Sequence, residues 1–226
     1  MITAICGSER NAGRTTVGIN LAAMLAQCGK DVVLIDASKN QDANKIVHQR
    51  TGGGAKDGGF FCVSAISPIT LALAVERLGR GFGEIIIDTD EDTALAAASQ
   101  CNECILVAGP GWDEMEDDLS LIKAALVASE FRTDYVFNRC YPGCNIKFWD
   151  GITGEFQYAI STCKAVAGSS GGLAVTEQEK PNVAAIKEMK ALFEELYGDF
   201  NHKPRVTKRI RQGRFSLEYA VYPIGT

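Results

Sequence analysis

Short apolar runs rich in β-branched residues alternate along this chain with segments of helical periodicity, and few folds are open to such a pattern. The runs fall at residues 2–6, 31–35, 61–66, 84–87, 104–108, 135–138 and 159–163, each with the length and character of a buried strand. Between the first two, Val17, Leu21, Met24, Leu25 and Cys28 recur at helical spacing, and Gly29 is a stop signal. The next helices are expected in a polar stretch reaching about residue 50, at residues 69–78, in an alanine-rich piece at 93–99, and around Met115, Leu119, Ile122 and Leu126. Val183, Ile186, Met189, Phe193 and Leu196 mark a last one. Residues 51–59 contain five glycines and read as a loop; residues 140–154 are aromatic and irregular. Repeated strand-then-helix order predicts an α/β fold, a doubly wound and mostly parallel sheet with helices on both faces. Such sheets bind ligands beyond the carboxyl ends of their strands. Gly13, Asp36, Asp88 and Asn138 all end or follow a strand.

The 226 residues, 46% of them apolar, suffice for one such domain. No apolar run is long enough to span a bilayer. The first residues, MITAICGSER, lack the basic start and long apolar stretch of an export signal. The eight cysteines are spread along the chain, so free thiols in a reducing cytoplasm are expected. The net charge of -5 conceals an asymmetry. Residues 199–226 hold six Lys or Arg against two acids, while the remainder carries 17 bases and 26 acids. The chain therefore divides into a body, residues 1–198, and a basic tail, residues 199–226.

The segment CGSERNAGRTT, residues 6–16, joins the first strand to the first helix. Backbone amides there could cradle phosphates with help from the helix N-terminus. The standard phosphate loop ends Gly-Lys-Ser/Thr; here the end is Gly13-Arg14-Thr15. Arg14 keeps the charge of that lysine but replaces a compact ammonium with a wide planar fork. Thr15 is placed to ligate Mg²⁺ through its hydroxyl. The competing reading is a strand-to-helix turn that uses Gly and Asn for geometry alone. Asp36 and Asp88 favour the first reading, since each closes an apolar strand as magnesium-organising carboxylates do.

With these residues together, the chain resembles the ParA/MinD group of deviant Walker P-loop ATPases. Residues 2–36 align without a gap to that group's opening: strand, loop, Thr-Thr, a helix rich in Asn, Leu and Ala, then Gly-Lys and Val-Val-Leu-Ile-Asp. EIIIDT at residues 84–89 looks like its Walker B strand, and CILVAGP at 104–110 like its next strand and proline loop. VFNR at 136–139 is similar to the segment that reads the adenine edge, and residues 170–196 resemble the C-terminal region. The resemblance implies a P-loop nucleotide-binding domain over residues 1–198. ATP or ADP would be held by Ser8, Asn11, Ala12, Gly13, Arg14, Thr15 and Thr16, and the base by Asn138 and Arg139. Mg²⁺ would be bound by Thr15 and Asp36, with Asp88 in its water shell. It also implies a nucleotide-dependent homodimer, an unknown partner protein, and a cargo such as plasmid DNA to be positioned or segregated. Several positions depart from the group. Its signature lysine is replaced by Glu9, with Arg10 beside it as a substitute. Arg10 and Asn11 replace loop glycines. Its switch carboxylate becomes Ser38 in Asp36-Ala-Ser38-Lys39. Asp36, Ser38 and Arg10 are thus the candidates for catalysis. Because phosphoryl transfer depends on positioning and charge, turnover should suffer more than binding. A slow ATPase is expected, or an inactive adaptor of the same fold.

Other constellations are weaker. Cys101, Cys104, Cys140 and Cys144 could offer four thiolates to zinc, though buried structural thiols are commoner. His48 and His202 have no visible partner. No G-x-S-x-G elbow exists for a hydrolase, and no pocket is visible for a metabolic ligase of the same fold. In the tail, Lys203, Arg205, Lys208, Arg209, Arg211 and Arg214 form a basic stripe suited to non-specific DNA contact. That stripe lacks the apolar helix face a membrane anchor needs.

Overall fold

A computed structural model describes residues 1–7, 12–50, 59–109, 132–140, 158–161, 184–200, 206–212 and 215–221. Ser8, Glu9, Arg10, Asn11, Cys144, Lys203, Arg205 and Arg214 lie outside the described residues, as do the helix expected near Met115 and most of the irregular stretch after Cys140.

Strands β1 (Ile2–Cys6), β2 (Val32–Asp36), β3 (Phe61–Ser64), β4 (Glu84–Asp88), β5 (Glu103–Ala108), β6 (Arg132–Cys140) and β7 (Tyr158–Ser161) form one sheet in the order β3-β2-β4-β1-β5-β6-β7. Every pairing in it is parallel. Helices α1 (Arg14–Gln27), α2 (Asp42–Arg50), α3 (Pro68–Leu78), α4 (Ala94–Ala98) and α5 (Ala184–Tyr197) connect or follow the strands. Period-two alternation divides the apolar residues into two cores. Ile5, Leu34, Ile86 and Ile105 face the layer containing α1 and α5, while Ala4, Ile35, Ile87 and Leu106 face the layer of α3 and α4. The expected doubly wound α/β sheet is therefore present.

Several elements differ from expectation in informative ways. The pattern in α1 suggested one buried face, yet every residue from Val17 to Gln27 is buried. α2 and α5 both pack against α1, so a helix apolar nearly all round is enclosed nearly all round. It ends where expected: Gly29 takes φ 76°, and the Lys30 amide reaches back to the Leu25 carbonyl at 3.0 Å. β3 ends at Ser64 instead of residue 66 because Ser67 starts α3. The Ser67 hydroxyl accepts from the Thr70 amide at 3.2 Å, Thr70 bonds back to the Ser67 amide, and Pro68 opens the helix. β6 is longer than its apolar centre because Arg132 to Asp134 still pair with β5.

The tail contains two strands, neither among the apolar runs expected from the sequence. β8 (Val206–Gln212) and β9 (Phe215–Val221) form a separate antiparallel ribbon. Lys208 is level with Tyr219, Arg209 with Glu218 and Arg211 with Ser216.

Candidate functional site

The carboxyl ends of β1, β2 and β4 converge beside the start of α1. Asp36 and Asp88 are register partners on adjacent strands. By parity both lie on the α1 side of the sheet, and both are fully buried. Gly18 of α1 lies directly over Asp88: a Cβ on it would stand 3.8 Å from the Asp88 Cβ, an ordinary contact distance. Gly7, directly after β1, allows another close approach. A Cβ on it would stand 2.3 Å from the Val107 carbonyl oxygen of β5, so the turn leaving β1 can hug its neighbour only without a side chain.

The two carboxylates have different surroundings. Asp36 is engaged on both oxygens. Its Oδ1 accepts from the Ser38 amide at 3.1 Å and the Ser38 hydroxyl at 2.7 Å, and its Oδ2 accepts from the Asn44 amide at 2.9 Å in the first turn of α2. Asp88 has, among the described residues, no hydrogen-bond partner of good geometry on either oxygen. Burial pushes its carboxyl up to about 7. The nearby Thr15 side chain pulls it down, Asp36 raises it, Arg14 lowers it and Asp42 raises it.

The N-cap of α1 is Gly13, at φ 98°; among the described residues no side chain caps the helix, and its first turn has no acidic residue. α3 shows the contrast with its complete capping box. An uncapped N-terminus presents free amides and a positive dipole end. Arg14, whose guanidinium was expected on phosphates, donates here to the Gly7 carbonyl. Ala12 is buried, and the Thr16 carbonyl accepts from the Asn20 amide group at 2.8 Å.

A cleft of about 860 Å³ opens above these groups. Residues 12–16 form one wall, residues 38–40 and α2 another, and residues 89–92 the third. Two loops framing it are laced together. The Ala37 amide bonds the Asp88 carbonyl at 2.8 Å, the Thr93 hydroxyl donates to the Ala37 carbonyl at 3.0 Å, and the Lys39 amide donates to Asp90 Oδ2 at 2.7 Å. Asp90 also accepts from the Asp92 and Thr93 amides. Gln41, at φ 53°, fixes the turn after β2. Its Nε2 donates to the Asp36 and Ser38 carbonyls at 3.1 and 2.5 Å, and its Oε1 accepts from Asn44 and Ser64.

The structure thus brings together Ala12, Gly13, Arg14, Thr15, Thr16, Asp36, Ser38 and Asp88. Asn138 and Arg139 lie on the backbone of β6 just beyond the level of Ala108, at the same edge of the sheet but two strands from β1. The sequence reading missed Gly7, Gln41, Asp90 and Thr93. Only Gly7 had a signal, a glycine directly after a buried strand. The four-thiolate idea is not realised. Cys104 pairs with Thr133, so Cys140 lies seven residues further along β6, about 23 Å away at strand rise. Cys101 and Cys104 are free, buried thiols in the α3/α4 core. Among the described residues no three His, Cys, Asp or Glu side chains could hold a metal ion by themselves. None of the described helices is long and apolar enough to cross a membrane.

No protein-family model matches the sequence, and no curated protein matches it in sequence. Solved structures do match. The MinD cell division protein of Aquifex aeolicus superposes with a TM-score of 0.67 at 17% identity, covering 88% of this chain and 97% of that one. A putative plasmid partition protein from Borrelia burgdorferi, bound to AMPPNP, gives 0.62 at 15% identity over 86% and 97%. The septum site-determining protein MinD of Pyrococcus horikoshii, complexed with Mg-ADP, gives 0.62 at 17% identity over 87% and 95%. At such identities the likeness is one of fold: this chain has the α/β fold of MinD and the plasmid partition proteins.

Proposed function

We propose that the cleft takes the polyphosphate of ATP or ADP with Mg²⁺, and that the protein is a slow nucleotide-dependent switch that positions a cargo such as plasmid DNA. One observation carries this reading: Asp88, buried beside the start of α1, has two carboxylate oxygens without a hydrogen-bond partner of good geometry among the described residues. Burying an ionisable group without a partner is costly, and a divalent cation is the partner its chemistry suits. Thr15 and Asp88 would hold that cation, with Asp36 as third candidate once its turn with Ser38 loosens. Phosphate oxygens would complete the set, since among the described residues no three His, Cys, Asp or Glu side chains could hold the ion by themselves. When bound, Mg²⁺ would supply neutralisation of phosphate charge. The first amides of α1, at Arg14, Thr15 and Thr16, would orient the same groups. Asn138 and Arg139, at the same edge of the sheet, are the candidates for the base.

A second reading is a nucleotide-binding adaptor without turnover. It is favoured by Ser38, which occupies the switch position and spends its hydroxyl on Asp36. No carboxylate stands there to orient a water. A phosphate-release assay run beside an affinity measurement separates the two. Turnover that Asp36→Ala abolishes supports the switch; tight binding with no turnover supports the adaptor. Homodimerisation with ATP is read by light scattering in the same samples. Contact between the tail and duplex DNA is read by binding that weakens steeply with salt.

A further inference from the structure

Among the described residues three cations line the cleft: Arg14, Lys39 and Lys45. Arg14 is folded onto the Gly7 carbonyl. Lys45 pairs with Asp42 at 3.4 Å along α2. Lys39 differs from both in how it is mounted. Its main chain is held between the ends of β2 and β4, by its own amide on Asp90 Oδ2 and by the Gln41 clasp on the neighbouring Ser38 carbonyl. Its ammonium is parked on Asp92 at the cleft rim. Both partners of that ion pair are exposed, 69% and 56%, so the pair is screened and weak. A terminal phosphate carries more negative charge and more acceptor oxygens than one carboxylate, so it outcompetes an exposed aspartate for an ammonium within reach.

We infer that Lys39 is a phosphate-sensing residue: its ammonium exchanges Asp92 for the terminal phosphate of a nucleoside triphosphate, while its backbone stays anchored. The inference rests on the nucleotide reading above and assigns discrimination between tri- and diphosphate to one side chain. Only that side chain needs to move, because the Asp90 and Gln41 bonds hold the turn in either state. Asp92 is the competing acceptor that keeps the ammonium off the site when no phosphate is present.

The test compares AMPPNP and ADP, each with Mg²⁺, by calorimetry on wild type, Lys39→Ala, Lys39→Arg and Asp92→Asn. Lys39 and Asp92 are both exposed, so the variants should fold, which circular dichroism checks. Lys39→Ala should weaken AMPPNP about tenfold or more, the worth of one bond to a charged group, and leave ADP within about twofold. Lys39→Arg should restore most of the AMPPNP affinity, and Asp92→Asn should strengthen AMPPNP a few-fold. Equal weakening of both nucleotides, or no change in either, overturns the inference while leaving nucleotide binding intact. A wild-type protein that binds neither nucleotide overturns the reading beneath it as well.

Discussion

Asp88 carries a carboxyl group that burial pushes up to about 7, against an ordinary value of 3.8. The sign follows from proton linkage. Between those two values the folded chain holds a proton that the unfolded chain has lost, so stability falls as pH rises from about 4 to about 7 and then levels. A shift of this size corresponds to something on the order of 4 kcal/mol. Asp88→Asn removes the titration. The stability difference between variant and wild type should therefore move in the variant's favour across that window, read as urea midpoints from pH 4 to pH 8. Parallel curves would show that Asp88 does not titrate there. Gly7 is the second informative residue. Its missing Cβ would lie 2.3 Å from a backbone oxygen, which cannot swing aside as a side chain could. Gly7→Ala should cost roughly 2–3 kcal/mol of stability, measured by denaturant unfolding. A loss under about 0.5 kcal/mol, the range of ordinary surface changes, would mean that the approach of β1 to β5 is loose.

Among the elements, the turn from β2 into α2 does most to shape the site. Asp36 anchors it through Ser38 and Asn44, and Gln41 clasps its carbonyls from a left-handed backbone position. Gln41→Ala keeps the unfavourable φ and loses four hydrogen bonds, so it should cost about 1–2 kcal/mol. Gln41→Gly loses the same bonds but takes φ 53° freely, and it should be the milder change. Amide exchange at Ser38 and Asn44 should quicken in both. If glycine proves as damaging as alanine, backbone strain is not stored there. The turn also shows where reading the sequence stops. β1, α1, β2, β4 and β5 were legible because apolar runs of strand length end in glycine or aspartate. α3 was legible from its helical spacing. Lys39 to Gln41 form a polar stretch without period, and nothing in it marks a clasp. β8 was illegible for a related reason: Val-Thr-Lys-Arg-Ile-Arg-Gln reads as a charged tail until β9 is laid against it. The enclosure of α1 was hidden because α5, which covers one side of it, lies far along the chain.

At the scale of the whole molecule, a parallel sheet with a helix layer on each face brings the ends of β1, β2 and β4 to one edge. Buried charge, an uncapped helix start and an open cleft meet there. The Asp36–Asp88 pair was visible in the sequence as two strand-ending acids. Their different surroundings were not, since those depend on Ser38, Asn44 and Thr15 arriving from separate elements. Function at that edge depends on its receiving phosphate and a cation together. Calorimetric titration of the full chain with ATP and Mg²⁺, alongside Thr15→Ala, addresses it most directly. The expected result is saturable binding of one nucleotide per chain that requires Mg²⁺ and weakens at least about tenfold in Thr15→Ala. Absence of saturable heat from the folded wild-type protein at millimolar ATP, or binding indifferent to both Mg²⁺ and Thr15, would contradict it.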